Sequence, residues 1–86
     1  MILTPNSPGS QKIKCYDVIT NQLLDLIIEV DTITGEAWEY RKDDYGSIVW
    51  DYEYHRAKRF KHPNLVRVEV PDDYKTCFPD TYKEIA

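Results

Sequence analysis

Residues 30–49 read Val-Asp-Thr-Ile-Thr-Gly-Glu-Ala-Trp-Glu-Tyr-Arg-Lys-Asp-Asp-Tyr-Gly-Ser-Ile-Val, short β-prone runs punctuated by two turn clusters. Thr-Ile-Thr-Gly-Glu (32–36) and Asp-Asp-Tyr-Gly-Ser (43–47) each suit a three-residue hairpin loop, a type I turn followed by a left-handed glycine. Gly35 and Gly46 are then the positive-φ residues. The first loop pairs Thr32 with Glu36, and therefore Val30 with Trp38 and Ile28 with Tyr40. The second pairs Asp43 with Ser47, and therefore Tyr40 with Trp50 and Trp38 with Tyr52.

Extending this register outward gives five expected strands, over 13–19, 23–31, 36–41, 47–59 and 65–70, each rich in β-branched or aromatic residues. One face collects Leu24, Leu26, Ile28, Val30, Trp38, Tyr40, Ile48, Trp50, Tyr52 and Tyr54 as core. The other carries Asp25, Glu29, Asp31, Glu39, Arg41, Asp51, Glu53 and His55. A one-residue slip would bury charges at several kcal/mol each unless they are paired, so pattern and turn chemistry select the same arrangement. In the first strand, Ile13, Cys15 and Ile19 compete with Tyr16 and Val18 for the core side. The expected fold is mostly β: an antiparallel meander of four to five strands forming a curled sheet or small partly open barrel.

The flanks differ in character. Residues 1–10 hold two prolines, Asn, Gly and two serines, which predicts a flexible N-terminal arm ahead of a single β-rich domain over 11–86. Near the other end Tyr74, Phe78, Tyr82 and Ile85 recur at three-to-four spacing and Pro79 suits a first helical turn, predicting a short C-terminal helix on the sheet. At 86 residues and 42% apolar content the chain can close one core, but expected stability is only about 4–13 kcal/mol. No apolar run exceeds three residues, so a membrane span is not expected and the chain reads as cytoplasmic. Cys15 and Cys77 are accordingly expected as reduced thiols.

Net charge is −4, yet it is segregated. Arg56, Lys58, Arg59 and Lys61 fall between His55 and His62 in a stretch with no acid, and with Phe60 they form a strip that could neutralise phosphates and stack a base. Opposed to it, Asp25, Glu29, Asp31, Glu39, Asp51 and Glu53 would stand together on one sheet face, suited to a cationic groove on a partner or simply to solvation. Catalytic and metal chemistry find no pattern here. His55, His62, Cys15 and Cys77 lack C-x-x-C or H-x₃₋₅-H spacing, there is no G-x-S-x-G elbow, and the three glycines do not cluster into a phosphate loop. No metal, cofactor or catalytic residue is expected.

The stretch 30–49 resembles the hairpin-rich sequences of small accessory proteins of tailed bacteriophages, in which an acidic strand, a Thr-Gly-Glu turn and an Asp-x-x-Gly turn recur. That resemblance implies a non-enzymatic protein that binds and modulates or inhibits a bacterial protein machine inside the host cell. The leading expectation is a protein partner held by the acidic face. The alternatives are a single-stranded nucleic-acid-binding module using the basic strip, and a homo-oligomeric structural protein paired through an edge strand.

Overall fold

The computed structural model describes residues 1–85. Among the described residues, nine short strands are followed by two short helices: β1 (Ile2–Leu3), β2 (Lys14–Asp17), β3 (Leu23–Leu24), β4 (Ile27–Asp31), β5 (Ala37–Glu39), β6 (Trp50–Asp51), β7 (Arg56–Ala57), β8 (Phe60–Lys61), β9 (Val66–Glu69), α1 (Tyr74–Cys77) and α2 (Pro79–Ile85). All strand pairs are antiparallel, and none of the sheets closes: one runs β1-β4-β5-β8, a second β3-β2-β9, and β6 and β7 form a separate ribbon. The mostly β architecture with a four-stranded sheet and a short C-terminal helix is the expected one.

The chain departs from a simple meander at three places. The expected strand over 23–31 breaks at Asp25 and Leu26, because its first part pairs with β2 and its second with β1 and β5, in different sheets. The expected strand over 47–59 folds back on itself, Trp50 opposite Ala57 and Asp51 opposite Arg56. And β9 pairs with the distant β2, Cys15 opposite Val68, so the chain's ends of the domain are joined by a non-local pairing.

A further difference lies in one loop. The loop 43–47 has the expected form: Asp43 N–H donates to the Ser47 carbonyl at 2.8 Å, Gly46 N–H donates to the Asp43 carbonyl at 3.0 Å, and Gly46 has φ +79°. The loop before β5 is one residue longer than expected. Asp31, not Thr32, closes it: its N–H donates to the Glu36 carbonyl at 2.8 Å and its own carbonyl accepts Gly35 N–H at 2.7 Å. The cause is the Asp31 carboxylate, which accepts the N–H groups of Ile33 at 2.9 Å and Thr34 at 3.4 Å and so fixes a side-chain turn. Gly35, at φ +82°, completes it in the left-handed region.

That shift moves the register, which becomes Val30 opposite Ala37 and Glu29 opposite Trp38, with an irregularity before Ile27 opposite Glu39. Because side chains alternate along a strand, one residue reverses the face. Ala37 is buried and Trp38 is 38% exposed, so the expected core face of Trp38, Tyr40 and Trp50 does not form. The core is instead Leu3, Val30, Ala37 and Val66, surrounded by half-buried Ile13, Cys15, Leu24, Ile27, Val68 and Ile85. The ambiguity in the first strand resolves with Cys15 inward and Tyr16 outward, the latter under the Arg67 guanidinium at 4.4 Å. Both cysteines are free thiols, and burial pushes the Cys15 thiol above its usual pKa.

Residues 1–10, expected as a loose arm, are built into the fold. Ile2 and Leu3 pair with Asp31 and Val30, Leu3 is buried, and the segment beyond it packs under α1. The fully buried Tyr74 donates its hydroxyl to the Pro8 carbonyl at 2.7 Å. Composition hid this because the ordering cost of the prolines and serines is met by contacts from residues more than sixty positions away. Helix α2 starts at Pro79 as expected, while Phe78, denied the helical region by the following proline, separates it from α1.

Gly9 supplies a test of that packing. It has φ +68°, and an added Cβ would stand 2.5 Å from the Phe78 ring and 2.8 Å from the Tyr74 ring, whereas one at Gly46 meets nothing within 4 Å. Gly46→Ala is expected to cost about 1–2 kcal/mol for its left-handed backbone alone. Gly9→Ala should exceed that by about 1–3 kcal/mol of overpacking, read from urea unfolding midpoints. Equal costs would show that the first ten residues do not pack as described.

Candidate functional site

Two polar features stand out, one inside the fold and one projecting from it. The inner one joins the two main sheets. His62, directly after β8, is buried, with Nε2 2.7 Å from Asp17 Oδ2 and Nδ1 2.9 Å from Glu39 Oε1. Ionised carboxylates only accept hydrogen bonds, so this arrangement favours the protonated ring, in which both nitrogens donate. Asn64 adds a donor to Asp17 Oδ2 at 2.9 Å, and Arg41 lies 3.6 Å from Glu39. The other Asp17 oxygen accepts the N–H groups of Ile19 at 2.7 Å and Thr20 at 2.9 Å.

These contacts move the titrations in opposite directions. Backbone bonding from Thr20, then the side chains of Asn64 and His62, hold the Asp17 carboxyl well below the usual carboxylate range despite its burial. For His62, burial opposes the charge, but the hydrogen bonds and negative charges of Asp17 and Glu39 outweigh it and raise the pKa above the ordinary 6.5. Both ring nitrogens of His62 are engaged, and His62 and Asp17 are buried while Glu39 is half-buried. Among the described residues no group of three or more His, Cys, Asp or Glu is arranged to hold a metal ion. Sequence reasoning missed the cluster, since its members are 23 and 45 residues apart and share no spacing signal.

The outer feature is the excursion between β5 and β8, residues 40–59. The backbone of Val49 donates to Arg41 at 2.8 Å and that of Lys58 to Val49 at 2.9 Å, so 41–42, 48–51 and 56–58 lie side by side as a small three-stranded lobe. Among the described residues, none between 40 and 59 is buried. Yet the lobe carries Tyr45 at 94% exposure, Tyr52 at 82%, Tyr54 at 63% and Trp50 at 47%. Cations are held over rings beside them: Arg41 at 4.5 Å and Lys58 at 5.3 Å from the Phe60 centroid, and Arg56 at 5.3 Å from that of Tyr54.

The six carboxylates expected on one face are dispersed. Glu39 points inward to His62, Asp31 and Asp51 close turns, and Glu29 is paired with Arg59 at 3.3 Å; Asp25, in the crossover, and Glu53, in the lobe's tip, are exposed. The register shift that turned Trp38 outward turned Glu39 inward with Ala37. The basic strip is divided likewise. Arg59 and Lys61 are matched to Glu29 and Glu36, the latter at 3.4 Å, while Arg56 and Lys58 have no ion pair among the described residues.

An open groove of about 490 Å³ between the N-terminal segment, β3 and β4 is lined mainly by the half-buried core aliphatics Ile13, Leu24 and Ile27, with Lys14, Asp25 and Glu29 in its wall. It is a flank of the core, with Thr4, Ser10 and Gln11 also in its lining. No family model, curated protein or solved structure matches this chain. Among the described residues, no helix is long and apolar enough to cross a membrane.

The buried imidazolium sets the pH response. A raised His62 pKa contributes stability that is complete below 6.5 and lost as pH rises through the folded value. A depressed Asp17 pKa contributes stability that is complete above 3.8 and lost as pH falls towards the folded value. The thermal midpoint should therefore be highest between 3.8 and 6.5 and decline on the alkaline side. His62→Leu, which removes the cation between Asp17 and Glu39, should cost about 3 kcal/mol near pH 6 and abolish the alkaline decline. An unchanged alkaline slope in that variant would exclude His62 as its source.

Proposed function

We propose that this protein is a small non-enzymatic interaction protein that docks a protein partner through the lobe 40–59. The reading rests on one observation: a lobe without a buried residue exposes a tryptophan and three tyrosines. In a core these rings would stabilise the fold; on the surface of a domain this small they weaken solubility unless another surface covers them. Trp, Tyr and Arg are the side chains that dominate protein interfaces, and here the cations are already oriented over rings, which lowers the entropy lost on docking.

The likeness of 30–49 to phage accessory proteins supports a bacterial protein machine as the partner and modulation by occupancy as the mode of action. The acidic face is replaced in this reading by the aromatic lobe, because most of its carboxylates already serve turns or ion pairs. Single-stranded nucleic acid is less favoured. Of Arg56, Lys58, Arg59, Phe60 and Lys61, two cations are matched to glutamates and the Phe60 ring lies under Arg41 and Lys58.

A double variant, Trp50→Ala with Tyr52→Ala, should change folding stability by less than about 1 kcal/mol, since surface side chains contribute little to the core. In an affinity capture from bacterial lysate the parent chain should retain a stoichiometric protein that the double variant loses. Equal capture by both, or capture of nothing by the parent, would remove the proposal.

A further inference from the structure

Three hairpin loops in this chain are built to one plan. Asp17, Asp31 and Asp51 each close a loop and accept, through Oδ1, the N–H groups of the second and third residues that follow. Each loop then has a left-handed residue four positions after the aspartate: Asn21 at φ 59°, Gly35 at φ 82° and His55 at φ 52°. Asn and Gly suit this backbone, Gly because it has no Cβ and Asn because its short side chain tolerates it. The third loop has His55 there, a residue that, like Asn, enters this region more readily than most side chains. His55 is exposed, and its ring makes no hydrogen bond or ion pair among the described residues, so nothing in the fold explains it.

Around His55 the same loop gathers the lobe's uncommitted groups. Tyr52 and Tyr54 are exposed, Arg56 lies over Tyr54, and Lys58 follows on the returning strand; both cations lack an ion pair among the described residues. Of the tip's two acids, Asp51 uses one oxygen in the turn, accepting from Glu53 N–H at 3.0 Å and Tyr54 N–H at 3.3 Å, and the Glu53 carboxylate is exposed without an ion pair among the described residues. An exposed imidazole without an intramolecular partner, beside two cations without an ion pair among the described residues, leaves these side chains available for contact with something else.

We infer that the hairpin tip 51–58 is the part of the lobe that the partner grips, and that the partner is a protein presenting a cluster of carboxylates to His55, Arg56 and Lys58. This rests on the lobe-docking reading above. A compact acidic patch fits better than a nucleic-acid backbone, because Asp43, Asp44, Asp51 and Glu53 interrupt the lobe's cations. A continuous run of phosphates would meet a carboxylate for nearly every lysine or arginine it found, whereas a local cluster can address Arg56 and Lys58 alone.

The test uses the full chain and two probes, an oligo-glutamate peptide and oligothymidylate of matched charge, titrated at low salt with tryptophan fluorescence as readout. Oligo-glutamate should bind, and should bind roughly tenfold more weakly to the double variant Arg56→Glu with Lys58→Glu. His55→Gly should weaken it several-fold while leaving the unfolding temperature equal or higher, a combination that a merely structural histidine would not give. No oligo-glutamate binding, binding indifferent to these substitutions, or tighter binding of oligothymidylate overturns the inference. Lysate capture separates the two levels. If the charge-reversed tip still captures a partner that Trp50→Ala with Tyr52→Ala loses, the acidic-partner inference fails and the lobe reading stands; if neither variant alters capture, both fail.

Discussion

The carboxylate of Asp17 joins the two main sheets beside the apolar contact of Val66 with Val30 and Ala37. One of its oxygens accepts two backbone N–H groups and shapes the loop after β2; the other accepts the His62 ring and the Asn64 amide from the far side of the molecule. His62 passes the connection on to Glu39 in β5, so an anion, a cation and a second anion run through the interface in series. Such a buried array is costly to desolvate and is stable only because every member is satisfied. Among the described residues no buried side-chain nitrogen or oxygen lacks a partner. With few fully buried apolar residues among those described, this polar link is a larger part of what joins the sheets than it would be in a larger protein.

The same aspartate chemistry recurs as a way of making hairpins. In the loops after Asp17, Asp31 and Asp51 a carboxylate captures two N–H groups and sets the number of residues in the turn, and the turn sets the register of the strands it joins. At Asp31 this decides between a Trp38 core and an Ala37 core. The outcome places the small residue where β4, β5 and β9 converge, next to Val30 and Val66, and leaves the indole outside under Arg59 at 5.7 Å. Glu39 shares the inward face with Ala37, which is how a glutamate comes to meet His62.

Seen this way, the lobe 40–59 is an outgrowth on a core that is complete without it, since β5 and β8 pair directly at its base. Its aromatic and cationic side chains contribute little to the core, and its shape is held by turns and a few cross-strand bonds. Surfaces of that kind are where a small domain can carry recognition without endangering its own fold, because the side chains that meet a partner are not those that fill the interior.

Local chemistry was legible from the sequence. The loop 43–47, the left-handed glycines, the antiparallel β class and the helix starting at Pro79 follow from residues close together in the chain, whose turn preferences act over four or five positions. The aspartate loop also left a trace, in the recurrence of Asp-x-x-Thr with Asn or Gly next, at 17–21 and 31–35. Tertiary structure alone decided the rest. Which of Ala37 and Trp38 faces inward depends on a turn one residue longer than its glycine suggested and on the space left by β9. The order of residues 1–10 depends on Tyr74 and Phe78. The pairing of Asp17, Glu39 and His62 depends on sheets that meet only after folding, and a contact across 45 residues leaves no periodicity for a sequence to display.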